Sequence, residues 1–327
     1  MLSAGFAHPF PAVDTPDVRT TERLNAFMTE WVSKKPVDQY FTRYATINFL
    51  KNHCMKSVEG SAQLAGHIGH GESPNHRWAS DYDEYSTSGT DAVDMYSYRW
   101  TNIFDAHTIS YVEMRELAGK DHALFNRVGE GRDRIINTTI KKQNAALFAA
   151  AQDAEKITTL AIAVDSSGSL GGLSAATVTE WAASEIDAVN LAGMYEKMKQ
   201  QRDTLWDRKA DPRVVITTFA VRRYLESLFD PDVRYASPGE MSRGVSNDPN
   251  ALMFSGLPII ADADCTAAVQ YWLDPSLIDL CVDSVCNMKF GESEKAEKQW
   301  AYTIPFIHRT QLIFKGRREQ GKLTNCS

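Results

Sequence analysis

The sequence predicts a mixed α+β fold, and three observations predict it. A helical period runs from about Tyr111 to Ala151, a later series of short aliphatic and aromatic runs is bounded by turn residues, and no βαβ or tandem repeat links the two. In the helical stretch, Leu117, Leu124, Phe125, Val128, Ile135, Ile136, Thr139, Ile140, Gln143 and Leu147 follow one stripe. A helix of roughly thirty to forty residues would be about 45–60 Å long, which suits a structural spine. Gly119, Gly129 and Gly131 each cost about 1 kcal/mol against alanine, so breaks or bends are expected there.

Ahead of this spine, residues 1–19 with Pro9, Pro11 and Pro16 read as an extended arm. Residues 20–34 form an amphipathic helix through Leu24, Phe27, Met28, Trp31 and Val32, with Thr20 or Thr21 as N-cap. Such a helix packs either on its own core or, in an assembling protein, on a neighbour. Residues 59–92 are rich in Gly, Ser, His, Asp and Tyr and carry almost no aliphatic pattern after Ile68. A stretch this long without periodicity reads as an exposed or functional excursion. The aromatic run at 92–103 (AVDMYSYRWTNI) follows it as a strand, and together they suggest a long hairpin.

After the spine, residues 165–174 (DSSGSLGGLS) read as flexible punctuation and a subdomain boundary. A second helix spans 191–206, then a strand 213–217 (RVVIT), a short helix 219–229 ended by Asp230-Pro231, and a polar loop 237–250. Strands follow at 257–261, 267–273, 277–282, 299–306 and 311–314, before a basic tail at 315–322.

Composition narrows the function classes. The chain has 327 residues, is 43% hydrophobic and 24% charged, and carries a formal charge of −7. Its longest apolar runs fall far short of the ~18–20 residues that cross a bilayer. The N-terminus has no basic region followed by an apolar core, so no secretory signal is read and a cytoplasmic origin is expected. Five cysteines (Cys54, Cys265, Cys281, Cys286 and Cys326) without CxxC spacing argue against a disulfide framework or a zinc ribbon. The negative charge disfavours sequence-specific nucleic-acid binding, though a local patch is compatible with non-specific contact.

Chemistry is weakly signalled. His67, His70 and His76, with Asp81, Asp83 and Glu84 nearby, are suitable zinc or iron ligands, but their spacing follows no metal-site pattern and the Gly/Ser context would not hold them. No phosphate loop or GxSxG elbow is present. Asp262 and Asp264 read as a strand end and turn. Arg127, Arg132, Arg134, Lys141 and Lys142 on the spine, and Lys315, Arg317, Arg318 and Lys322 in the tail, read as a solvated face or as a patch facing nucleic acid. No catalytic residue, cofactor or metal is expected.

Four segments in order carry a resemblance. They are the Gly- and Tyr-containing loop at 60–90 with the aromatic strand 96–100, DPRVVITTFAVRRYLESL at 211–228, FSGLPIIADADC at 254–265 followed by YWLDPSLIDL at 271–280, and QLIF…GKL at 311–323. Together they resemble the major capsid proteins of tailed bacteriophages, with the Hong Kong 97-type capsid fold. The resemblance implies an N-terminal arm (1–55), an extended loop (56–108), a peripheral domain with the spine helix (109–173 and 276–327) and an axial domain (174–275). It implies a major capsid protein of the virion, not an enzyme, that forms pentamers and hexamers of an icosahedral shell around double-stranded DNA. Assembly would occur in the host bacterial cytoplasm, with separate scaffolding, portal and decoration proteins and no membrane. Phe27, Trp31, Trp78, Asp81, Tyr82, Tyr85, Tyr96 and Arg99 are the expected subunit-interface residues, because aromatics and arginine dominate interfaces. Some family members weld the loop to a neighbour through a lysine. No lysine lies between Lys56 and Lys120, so no such cross-link is expected. The alternatives are a nanocompartment shell of the same fold or a metal-dependent cytoplasmic enzyme using His67, His70 and His76.

Overall fold

A computed structural model describes residues 44–69, 75–81, 83–84, 93–116, 121–228, 252–297 and 299–326. Helix α1 (Ala45–Cys54) leads into β1 (Met55–Val58), β2 (Gln63–Gly69), β3 (Val93–Arg99) and β4 (Thr101–Ser110). Helices α2 (Tyr111–Glu116), α3 (Asp121–Leu147) and α4 (Leu160–Ala163) precede β5 (Ser169–Leu170), β6 (Leu173–Ser174) and β7 (Ser184–Asp187). Then come α5 (Leu191–Asp207), β8 (Val214–Thr217), α6 (Phe219–Leu228), β9 (Met253–Phe254), β10 (Leu257–Ala261) and β11 (Gln270–Leu273). Strands β12 (Ile278–Asp283), β13 (Lys289–Phe290), β14 (Glu294–Lys295), β15 (Ala301–Phe314) and β16 (Gly321–Thr324) close the chain. No helix among the described residues is long and apolar enough to cross a membrane.

The chain divides into two compact units. In the larger, a mixed sheet runs β7-β16-β11-β8-β10-β9. Its centre reads VVIT and QYWL, β-branched and aromatic runs buried at every position. In the other sheet, β1 lies parallel to β12, and β12 is antiparallel to residues 310–314 of β15. One core joins Phe49 and Leu50 of α1, Ile140 and Leu147 of α3, Trp181, Tyr271, Leu312 and Phe314. A polar knot pins three elements of this unit. Thr46 Oγ1 donates to Asp262 Oδ2 at 2.6 Å, and Asn144 Nδ2 donates to Asp262 Oδ1 at 2.9 Å and to Asp264 Oδ2 at 2.8 Å. The two acids do form the end of strand β10 and its turn.

In the smaller unit, residues 105–133 and 290–306, the Phe290 and Phe306 rings meet at 4.8 Å and Arg132 lies over Phe290 at 4.3 Å. Glu294 and Lys295 of β14 pair with Thr303 and Tyr302.

The structure corrects several sequence expectations. Among the described residues the spine runs as a helix over Asp121–Leu147, about 40 Å, with a six-residue helix at Tyr111–Glu116 ahead of it. Gly129 and Gly131 lie inside it without ending it, because Gly131 is packed against the His107 ring and no side chain fits there. The strands expected at 299–306 and 311–314 are one 14-residue strand, because His308 and Thr310 turn into the interior instead of forming a loop. The basic tail is no tail. Arg317 is fully buried and donates to the carbonyls of Ile162, Ala163, Ser167 and Gly168 at 2.6–3.3 Å. Lys322 pairs with Glu185 at 3.0 Å and Lys315 with Asp279 at 2.9 Å. Residues 165–174 are likewise built, with β5 and β6 joined through Gly171 and Gly172, both at positive φ as a two-residue hairpin requires.

Candidate functional site

The residues expected to make subunit contacts centre on the hairpin of β2 and β3. Its seven cross-strand pairs run from Gln63↔Arg99 to Gly69↔Val93. Strand β2 opens the Gly- and His-rich stretch of 59–92, with Leu64 and Ile68 alternating against Ala, Gly and His. Its register is reinforced sterically: the Tyr96 ring lies over Gly66, where any side chain would collide with it.

The hairpin has two chemically different faces. Leu64, Tyr96 and Tyr98 are buried. Tyr96 stacks on Trp181 at 5.8 Å, and Trp181 Nε1 donates to the Leu170 carbonyl at 3.0 Å. The Tyr98 hydroxyl donates to the Phe314 carbonyl at 3.3 Å, and Ser97 N–H to the Gly171 carbonyl at 2.8 Å. Burial drives the Tyr98 hydroxyl pKa well above its ordinary value, so it remains a donor at neutral pH. On the other face, His67 and Met95 are cross-strand partners and Val93 lies beyond them. Val93 is 60% and Met95 58% exposed.

The base of the hairpin is held by a residue that sequence reasoning missed. Arg309 donates from Nη1 to Asp283 Oδ2 at 3.0 Å and from Nη2 to the Ser61 carbonyl at 3.2 Å. Its guanidinium lies 4.8 Å from the centre of the Trp100 ring, whose Nε1 donates to the same Ser61 carbonyl at 2.8 Å. Backbone donors from Val285 and Cys286 hold Asp283 Oδ1 and lower its carboxyl pKa, aided by Arg309. No sequence motif marks this cluster, whose members lie far apart in the chain.

The expected interface residues separate into three groups. Trp78 is 98% exposed, and Asp81 and Arg99 are exposed. Tyr96 is not a surface residue: its ring is buried in the chain's own core, which corrects that expectation. Phe27, Trp31, Tyr82 and Tyr85 lie outside the described residues. For the metal alternative, His67 and His76 are exposed and His70 is outside the described residues. Among the described residues no three His, Cys, Asp or Glu side chains converge as metal ligands. The cysteines are free, and burial pushes the Cys281 thiol to about 11 and the Cys54 and Cys326 thiols to about 12, which leaves them protonated at neutral pH.

The cationic patch also shrinks. Arg132 is buried over Phe290 and Arg127 pairs with Glu113 at 2.6 Å, while Arg134, Lys141 and Lys142 of α3 are exposed.

No protein-family model and no curated protein matches the chain. Solved structures do. A chain of the cyanophage A-1(L) capsid asymmetric unit aligns over 86% of this chain and 92% of its own length, with a TM-score of 0.64 at 14% identity. The fold is that of phage capsid subunits. The capsid of an empty GTA particle aligns at a TM-score of 0.62 and 12% identity, over 86% of this chain and 90% of that one. The Mycobacterium phage Bobi structure aligns at 0.54 and 10% identity, with the same two coverages. This capsid fold is held by the sheets and core of the chain despite a sequence almost entirely different from theirs.

Proposed function

We propose that the chain is a major capsid subunit that self-assembles into pentamers and hexamers of an icosahedral shell enclosing double-stranded DNA. The observation that carries this reading is a phage capsid fold extending over most of the chain, joined to a hairpin with one face on its own core and an exposed outer face that carries Val93, Met95 and Arg99. In this reading the arm of 1–55 loses α1, which packs in the core, and the extended loop of 56–108 begins after β1, which pairs with β12; the axial domain of 174–275 gains β16, which lies between β7 and β11, and the peripheral domain keeps 109–173 and the rest of 276–327. Trp78, Asp81 and Arg99, with Val93 and Met95, contact a neighbour, and Phe27, Trp31, Tyr82 and Tyr85 are further proposed contacts.

The mechanism is additive assembly. Each subunit makes several modest contacts, and closed symmetry sums them. Exposed Arg134, Lys141 and Lys142 supply non-specific contact with packaged DNA. The role is structural and not catalytic, in a virion built in the bacterial cytoplasm with separate scaffolding, portal and decoration proteins. Negative-stain microscopy and size-exclusion chromatography of the purified chain test this: hollow megadalton particles are expected, and a small oligomer carrying stoichiometric metal would contradict it. Particles filled with a cargo enzyme in place of DNA would redirect the reading to a nanocompartment.

A further inference from the structure

Arg309 joins three segments that are distant in sequence: both strand roots of the hairpin, the end of β12, and its own strand β15. One guanidinium donor reaches the Ser61 carbonyl just before β2, the cationic face covers Trp100 just after β3, and the other donor reaches Asp283. Next to it, Gln311 Nε2 donates to the Arg99 carbonyl at 2.7 Å, and Thr101 Oγ1 donates to the Thr310 carbonyl. The three consecutive residues 309–311 therefore hold the base of both hairpin strands. Asp283 is 5% exposed and Arg309 26%, so the pair is largely screened from water and its geometry is better defined than a surface ion pair's.

We propose that Arg309 is the positioning residue that fixes the direction in which the hairpin leaves the core, and hence whether its outer face meets a neighbouring subunit. The inference rests on the capsid reading. Seven-residue strands reach about 23 Å, so a tilt of about 10° at the base moves their far end by about 4 Å, enough to lose side-chain contact. A planar guanidinium is required, because lysine carries all its donors on one nitrogen and offers no flat face for Trp100. Tyr96, Tyr98 and Trp181 bury the inner face separately, so loss of Arg309 should loosen the hairpin from its base without unfolding the sheets.

Four variants and their wild-type parent test this by amide hydrogen exchange on unassembled subunits and by particle counting. R309M and R309K should raise exchange at 63–69 and 93–99 by roughly tenfold while β8 exchange stays unchanged. Closed particles should fall by a similar factor. D283N should reproduce the effect, and D283N/R309M should be no worse than R309M, since one clamp is broken in either case. If R309M also loosens β8, R309K decides, because it keeps the charge and the stem. Wild-type exchange at the hairpin in R309K, or closed particles from it at wild-type yield, overturns the proposal. A wild-type chain that forms no particles removes the capsid reading, while the exchange data still decide whether Arg309 sets the hairpin.

Discussion

The six-stranded sheet of the larger unit and the hairpin of β2 and β3 bury their residues by different rules. Every position of β8 and β11 is buried, so the centre of that sheet is covered on both faces by the chain itself. In β3, Tyr96 and Tyr98 are buried while Val93, Met95 and Arg99 are exposed. A two-stranded sheet is marginal in water, and this one depends on its inner face for order. Its outer face is available for another purpose. The sheet is complete within one chain, and the hairpin is half complete.

The strongest way to break this contrast is to remove what couples the hairpin to the core. Trp181 is fully buried, stacks on Tyr96 and donates to the Leu170 carbonyl. Trp181→Ala should cost about 3–5 kcal/mol in denaturant unfolding and release the hairpin, since the cavity adds to the lost burial. A loss under ~1 kcal/mol would show that the inner face does not anchor it.

Acid should weaken the sheet that holds His308. Burial lowers the His308 pKa to about 4 from the ordinary 6.5, and its Nδ1 accepts from Met288 N–H at 3.3 Å. The unfolded chain takes up a proton as pH falls through 6.5, while the folded chain resists until about 4. Stability is therefore full above 6.5 and declines between those values, by about 3 kcal/mol in total. His308→Gln should flatten that slope in chemical denaturation measured at several pH values.

Gly131→Ala separates local propensity from packing. An exposed helix position would gain about 1 kcal/mol from alanine. At Gly131 the new methyl would collide with the His107 ring, and overpacking of this kind costs about 1–3 kcal/mol. A net loss in thermal unfolding is expected, and a gain would place His107 elsewhere.

The smallest stability effects belong to the outer face. Val93→Thr with Met95→Gln should change unfolding free energy by less than about 0.5 kcal/mol, as surface substitutions do, while lowering particle yield. A large loss of stability would mean that this face is covered within the chain.

The contrast also explains what could be read from sequence. Strands 214–217 and 257–261 stood out because VVIT and LPIIA are continuous β-branched or aliphatic runs, and the second helix matched to within one residue, capped by Asn190 accepting from Gly193 N–H at 2.8 Å. The hairpin is legible as a whole, but the bounds of β2 are not, because glycine, alanine and histidine fill its exposed face. Arg317 reads in sequence as part of a solvated face or a nucleic-acid patch, because its destination depends on four carbonyls some 150 residues away. Arg309 was missed for the same reason. Tyr96 was assigned to an interface by its residue type alone, and its neighbours in space place it in the core.

The hairpin register supplies the most direct test. Gly69 faces Val93, so residues 70–92 can be replaced by an Asn-Gly turn that closes the two strands directly. Particle formation by this shortened chain should be compared with that of the full chain under the same conditions, by electron microscopy. The full chain is expected to form closed shells, and the shortened chain to unfold at the same temperature yet form none. Normal shells from the shortened chain, or only small oligomers from the full one, would contradict the account.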